Sequence, residues 1–334
     1  MGVPYEKASA QLTEAAEKLF AADPRVRSVG IGQHQDAFGY TAVRNSAMIL
    51  PASASVEVTP SIADIPVSFL ESFADPHRLV QVPLAGPASF VPEQGRFRPL
   101  ACGLQIQNFD QDLRSGIIQQ GKIIIGTLGC FVQLADASAA ILSNNHVVAG
   151  ENAGQRNKDR IFQSGSGTDD PDQLAAILTD FVDIVPSPVG AAPQTGDAIF
   201  NDVDAGAAKV VDGVAFGQRY LPFRSVPAPN SVASAKVGDR VFKIGRTTGL
   251  TRGSVVSVNN ITGPVPYDPG PCWFRRTIVI EGLNGTMFSD HGDSGSAIVR
   301  ENGEVIGLLF AGNGQQTFAC PFDRVLQSLT CTLL

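Results

Sequence analysis

The stretch His291-Gly-Asp-Ser-Gly-Ser-Ala-Ile-Val299, HGDSGSAIV, sets one serine in a collar of glycines ahead of an apolar run. A turn needs the glycines, which reach positive φ without steric cost, but it does not need the hydroxyl between them. After the apolar run come Arg300-Glu-Asn-Gly303 and the apolar EVIGLLFAG. Asn-Gly favours a tight turn, so two strands joined as a hairpin are expected here, with Ser294 on the loop that opens the first. A serine hydroxyl is a poor nucleophile until a base takes its proton. The reading of the whole chain therefore turns on whether such a base exists.

Imidazole is the side chain suited to that task near neutral pH, and the sequence has only four histidines. His34 falls in the first part of the chain, His77 in a Pro-rich stretch, and His291 is too close to Ser294 along the chain to serve it. His146 remains, in AILSNNHVVAG, where a β-type run gives way to a polar turn. A base at the end of a strand is held by the scaffold and still reaches a cleft. Imidazole must in turn be oriented by a carboxylate on its other nitrogen. Between His146 and Ser294 the best candidate is Asp204 in NDVDAGAAKV, because the small residues after it allow close packing; Asp202 and Asp197 are the alternatives. In the glycine-flanked GDSG, the N–H groups of Gly292 and Ser294 can turn towards one point and form an oxyanion hole.

Working outward, the texture from about Gly103 onward is that of short strands and turns at 8–12-residue intervals, the mark of a sandwich or barrel. GTLGCFVQL and AAILS flank Ala135–Ser138, and DRVFKIG and GSVVSV flank RTTGLTR. The chain closes with PFDRVLQSL, expected as a helix with Pro321 at its first position and Phe322, Val325, Leu326 and Leu329 on one face. Before residue 100 the pattern differs. A helical stripe over 5–22 (Leu12, Ala16, Leu19, Phe20) is stopped by Pro24, and VRSVGIGQ and YTAVRN read as strands. From Pro51 to Pro92 the chain is rich in Pro, Ala and Ser without a sustained period. Residues 1 to about 100 are thus expected to form a small α+β domain with a looser tail.

Composition narrows the function. Charged residues are 17% of the 334, and 34 glycines and 22 prolines suit a loop-rich β protein. The net charge of −7, with no run of Lys or Arg, argues against a nucleic-acid surface. The most apolar window, Ile123–Val132, is broken by glycines and is too short for a membrane span. The opening MGVPYEKASAQLTEAAEKLF has charges where a secretory signal needs an unbroken apolar core, and its Glu6 and Lys7 do not fit a myristoylation signal. The five cysteines are odd in number and widely spaced, without a metal-type CxxC. Mostly reduced thiols in a cytoplasmic protein, without a metal site, are expected.

The order His146, Asp204, Ser294 and the boxes SNNHV, DAGAAKV and GDSGSAIV resemble those of the chymotrypsin-like (trypsin-like) serine peptidases. GDRVFKIGRTTGLTRGSV is similar to a segment opening the second barrel in bacterial members, and the GDSGS box resembles the intracellular plant proteins of the Narrow-leaf type. The resemblance covers roughly residues 103–334. It implies a mainly β fold, a double β-barrel over 101–334 (barrel one about 101–225, barrel two about 226–334), preceded by the N-terminal α+β domain of residues 1–100. It implies a serine endopeptidase acting on polypeptide through an acyl-enzyme, without metal or cofactor. By the same resemblance Phe288 lies at the base of the substrate pocket, with LLFAGNG, including Ala311 and Gly312, as its wall. His291 is a candidate to line the mouth of the oxyanion hole and touch substrate, against the reading of a solvated loop residue. A small or apolar residue before the cut is then expected. Two departures stand out: Asn144-Asn145 precede the histidine where most members have small residues, and Ser296 replaces the second glycine after Ser294. Two other readings remain: a non-catalytic interaction scaffold of this fold, and a self-processing protease regulated by its first domain, with the Pro/Ala/Ser-rich linker as target.

Overall fold

A computed structural model describes residues 2–50, 61–77 and 91–334, and the backbone of Val82–Pro83. Half of the Pro/Ala/Ser-rich run from Pro51 to Pro92, expected as a looser tail, lies outside the described residues, and the described part includes a strand, Ile65–Ser72.

Two barrels form because the strand pairings close. In the first, Gln105–Asn108 pairs with Arg160–Gln163, that strand with Leu174–Phe181, the next with Gly206–Val210, then with Ala139–Ser143, then with Cys130–Gln133, all antiparallel. The chain just before Cys130, Gly126–Thr127, pairs back on Gln105–Asn108 and completes the ring. The partner switch falls at Leu128 and Gly129, whose N–H groups donate to Leu104 O and Leu142 O at 2.8 and 2.9 Å. Ile106, Phe131, Ile141, Leu142, Ile161 and Leu178 are all buried in one apolar core, in keeping with packing that excludes water.

The second barrel closes in the same way through Arg240–Gly245, Gly249–Tyr267, Gly270–Gly282, Gln316–Pro321, Glu304–Gly312 and Ala297–Arg300, the last pairing with the first. The Gly249–Tyr267 and Gly270–Gly282 strands are far longer than the barrel needs, so their hairpin runs on past it. Val26–His34 adds antiparallel to this hairpin, with Ser28 opposite Thr262 and Gly32 opposite Ser257. Ala37–Asn45 and Ile65–Ser72 follow outward, the latter pair parallel. A helix over Leu12–Ala22 covers this extension, burying Leu12, Ala15, Ala16, Leu19 and Phe20, with the Phe20 ring edge-on to Trp273 at 5.1 Å. The N-terminal residues therefore share one hydrogen-bonded sheet with the second barrel.

Local differences from the sequence expectation have simple causes. The helical stripe over 5–22 is two helices, Tyr5–Ala10 and Leu12–Ala22, broken at Gln11 (φ −110, ψ 4). Pro321 is not the first helical residue: its N–H-free backbone ends the Gln316–Pro321 strand and caps the helix Phe322–Ser328. The turn after Arg240–Gly245 is only Arg246–Thr248, because pairing resumes at Gly249, opposite Gly245. The five cysteines are all buried, and none is in a disulfide. No helix among the described residues is long and apolar enough to cross a membrane.

Candidate active site

Strand register brings the histidine and its acid together. Ser143, the last residue of Ala139–Ser143, stands opposite Gly206, the first of Gly206–Val210. His146 follows Ser143 by three residues and Asp204 precedes Gly206 by two, so both leave the same strand pair at the same end. Ala205, Ala207 and Ala208 are fully buried, and their small side chains permit this close approach. His146 sits in a one-turn helix, Asn145–Val148, all four residues of which are buried.

Asp204 is 0% exposed and His146 is 2% exposed. A buried carboxylate is costly unless hydrogen-bonded, and Asp204 is bonded on several sides. Its Oδ2 meets His146 Nδ1 and accepts from Tyr267 OH at 2.7 Å, while Oδ1 accepts from the His146 N–H at 3.3 Å. The backbone carbonyl of Asp204 accepts from Asn144 Nδ2 at 2.7 Å. Burial, reinforced by the neighbouring carboxylate, pushes the Tyr267 phenol well above its ordinary pKa, so it stays a donor. The far ring nitrogen, His146 Nε2, is buried and has no hydrogen-bond partner among the described residues. Asp202 instead pairs with Arg275 and Arg276, and Asp197 with the Thr195 hydroxyl, so neither alternative acid is at the imidazole.

The two asparagines before His146 have structural work. Asn144 ties the turn to Asp204, and Asn145 Nδ2 reaches Val182 O and Asn152 Oδ1, both at 2.7 Å. The other departure, Ser296, turns its hydroxyl back to Asp293 O at 2.6 Å.

Ser294 is 4% exposed, on a loop held from both barrels. The Thr127 N–H donates to Ser294 O at 2.8 Å and Thr127 Oγ1 to Gly292 O at 2.9 Å. Gly126 is packed against both Val147 and Ser294 O, so one short strand touches the histidine helix and the serine loop. Gly295 has φ +91, and a Cβ there would overlap Ser143 Oγ and Thr127 O; only glycine lets the loop approach so closely. Ser294 Oγ donates to Phe310 O at 3.4 Å, and no hydrogen bond joins it to His146 Nε2 in this structure.

Asp293, between Gly292 and Ser294, is fully buried and forms an ion pair with the equally buried Lys243 at 3.1 Å. It also accepts from the N–H groups of Thr247, Thr248 and Asp290 at 2.9, 3.1 and 3.0 Å. Burial pulls the Lys243 ammonium below its ordinary pKa, and the Asp293 carboxylate opposes that pull. Arg246 is likewise lowered to about 10, by burial against the opposing Asp293 charge. The Arg246–Thr248 turn is thus a clamp on the serine loop.

A cavity of about 130 Å³ opens beside Ser294, lined among others by His291, Ala311, Gly312 and Asn313, with His77 at one side. Phe288 does not line it. Its side chain is 1% exposed and packs in the barrel core with Val241, Ile280 and Ile298. Sequence reasoning missed Tyr267, Lys243 and the role of Asn144. A lone lysine in the apolar strand RVFKIG was a visible signal for the second; nothing near Tyr267 in sequence points to Asp204.

A family model of the trypsin-like peptidase domain matches residues 128–308, more than half of the chain, and the chain belongs to that family. The family is one of serine peptidases, hydrolases that act on polypeptides. Among solved structures the chain is similar to a Nocardiopsis protease (14% identity, 70% of this chain and 98% of that one, TM-score 0.45). It is similar to a glutamic-acid-specific serine protease described as using a histidine triad in substrate binding (19%, 70% and 100%, 0.46). A third is Thermobifida fusca protease A (15%, 63% and 91%, 0.42). No curated protein matches.

Proposed function

We propose that the chain is a serine endopeptidase that works through an acyl-enzyme, with His146 as base, Asp204 as its orienting acid and Ser294 as nucleophile. His146 Nε2 takes the proton of Ser294 Oγ as oxygen attacks the scissile carbonyl. Asp204 holds the proton on Nδ1 and stabilises the imidazolium that forms. The N–H groups of Gly292 and Ser294 receive the oxyanion, and the proton on Nε2 passes to the leaving amine; water repeats the cycle on the ester.

The observation that carries this reading is the asymmetry of the His146 ring. One nitrogen is locked to a doubly supported carboxylate, while the other is buried without a partner. An orphaned buried nitrogen costs about 1–3 kcal/mol, a cost expected where a transient partner is needed. Tyr267 is a positioning residue in this scheme. The proposal includes a cytoplasmic setting, with which five buried cysteines, none in a disulfide, agree, and the division into residues 1–100 and two barrels meeting near residue 225. The cavity's small size supports a small side chain before the cut, with His77, Asp290 and His291 sharing its wall with Leu309 and Ala311.

Hydrolysis of a mixed peptide library tests the reading. Turnover by the parent chain and none by Ser294→Ala is expected, with cuts after small or apolar residues. Equal turnover by both forms would refute the assignment of Ser294, turnover by neither would favour the scaffold reading, and cuts after Arg or Lys would refute the specificity.

A further inference from the structure

The strand edge beside Ser294 is already occupied. Gly312, at the end of Glu304–Gly312, exchanges two backbone hydrogen bonds with His77 in antiparallel sense: His77 N–H donates to Gly312 O at 2.9 Å, and Gly312 N–H to His77 O at 3.2 Å. The His77 ring lies against the His291 ring, centroids 4.3 Å apart, and both line the cavity that holds Ser294.

The segment is tied down on both sides. Before it, Asp75 accepts from Arg27 Nε at 2.5 Å and Asn45 Nδ2 at 2.9 Å, which anchors it to the N-terminal strands. After it, the backbone of Val82–Pro83 pairs antiparallel with Lys122–Ile123, and the same run of chain reaches Thr127, whose N–H holds Ser294 O.

Backbone pairing at a strand edge is how an extended peptide is gripped irrespective of its side chains. We infer that residues 75–77 are a built-in occupant of the peptide-docking edge at Gly312, so that polypeptide adds to this edge only after the segment has left it. The inference rests on the proposed reading of Ser294 as nucleophile. A tethered occupant competes at an effective concentration set by its short connection, and the apparent affinity of substrate falls with the fraction of molecules whose edge is open. The N-terminal strands thereby regulate the site through a contact that touches none of the three reacting groups.

His77→Pro removes the N–H that Gly312 O accepts and leaves Ser294, His146 and Asp204 unaltered. In the full-length chain it is expected to lower KM for an extended peptide roughly three- to tenfold and to speed fluorophosphonate labelling of Ser294 by a similar factor. Unchanged KM and labelling rate in a folded His77→Pro, with the parent labelled normally, would overturn the occupancy and leave the peptidase reading standing. Absence of label at Ser294 in both forms would remove the peptidase reading and this inference with it. Should His77→Pro not fold, hydrogen exchange at the Gly312 amide of the unaltered chain reads the same contact. Protection is expected, and exchange as fast as in an exposed loop would overturn it.

Discussion

The two barrels close by the same six-strand rule yet secure their parts of the site by different physics. In the first, His146 and Asp204 are fixed by strand register and by hydrogen bonds from Asn144 and the His146 backbone, with Tyr267 reaching over from the second barrel's hairpin. In the second, the Ser294 loop is pinned by one buried ion pair, Lys243–Asp293, and by Thr127 of the other barrel. The base and its acid are thus held by neutral hydrogen-bond donors, and the nucleophile loop by a buried charge pair with neutral donors around it. Damage to the two should look different: loss of rate with the fold intact on one side, loss of stability on the other.

The largest effect expected is on rate. Ser294→Ala should lower peptide turnover by roughly 10⁶-fold and Asp204→Asn by roughly 10⁴-fold, with melting temperatures near that of the parent. If Asp204→Asn keeps most of the parent's kcat, the first barrel is not where the base is oriented. Next, Lys243→Met leaves a buried carboxylate unpaired and should cost roughly 3–5 kcal/mol in denaturant unfolding. A stability within about 1 kcal/mol of the parent would show that the three backbone N–H groups and the Thr248 hydroxyl suffice to hold Asp293, and would erase the contrast.

A smaller, pH-dependent effect separates the barrels further. Asp112 of the first barrel is buried, and burial raises its carboxyl to about 7 against the hydrogen bonds from Ile124 N–H and Gln107 Nε2. The folded state therefore keeps a proton that the unfolded chain gives up near pH 4, and stability declines as pH rises from about 4 to about 7. Asp112→Asn retains an acceptor oxygen but cannot ionise. Its unfolding free energy should pull ahead of the parent's across that window by up to a few kcal/mol and stay level above it. Parallel curves would contradict the buried neutral carboxyl. Smallest is Tyr267→Phe: one donor to Asp204 is lost, and kcat should fall roughly tenfold or less with KM unchanged. A matching rise in KM would make Tyr267 a general structural support and not a positioning group for the base.

Much of this was legible in the sequence, for identifiable reasons. The Gly-Asp-Ser-Gly turn, the apolar runs and Asn302-Gly303 are local signals, and local signals report strands and turns well. Asp204 could be preferred over Asp202 because of the small residues behind it, and the structure places it alone of the three candidate acids at the His146 ring. Tyr267 could not be found, since its contact depends on how far a hairpin extends beyond its barrel. Spacing to Ser294 puts Phe288 at the pocket base, yet it lies in the irregular run between Gly285 and Ala297, where its ring packs into the core against Val241, Ile280 and Ile298. The sharing of a sheet between Val26–His34 and residues 257–262 was equally invisible, as pairing across more than 200 residues leaves no local mark.

In the proposed mechanism Ser294 is made reactive by the imidazole of the other barrel. Intact-mass and peptide-mapping analysis after fluorophosphonate treatment measures this directly. A single adduct on Ser294 in the parent, lost in His146→Ala although that variant stays folded, is the expected result. An adduct on Ser294 that persists without the imidazole, or an adduct on a different residue, would contradict it.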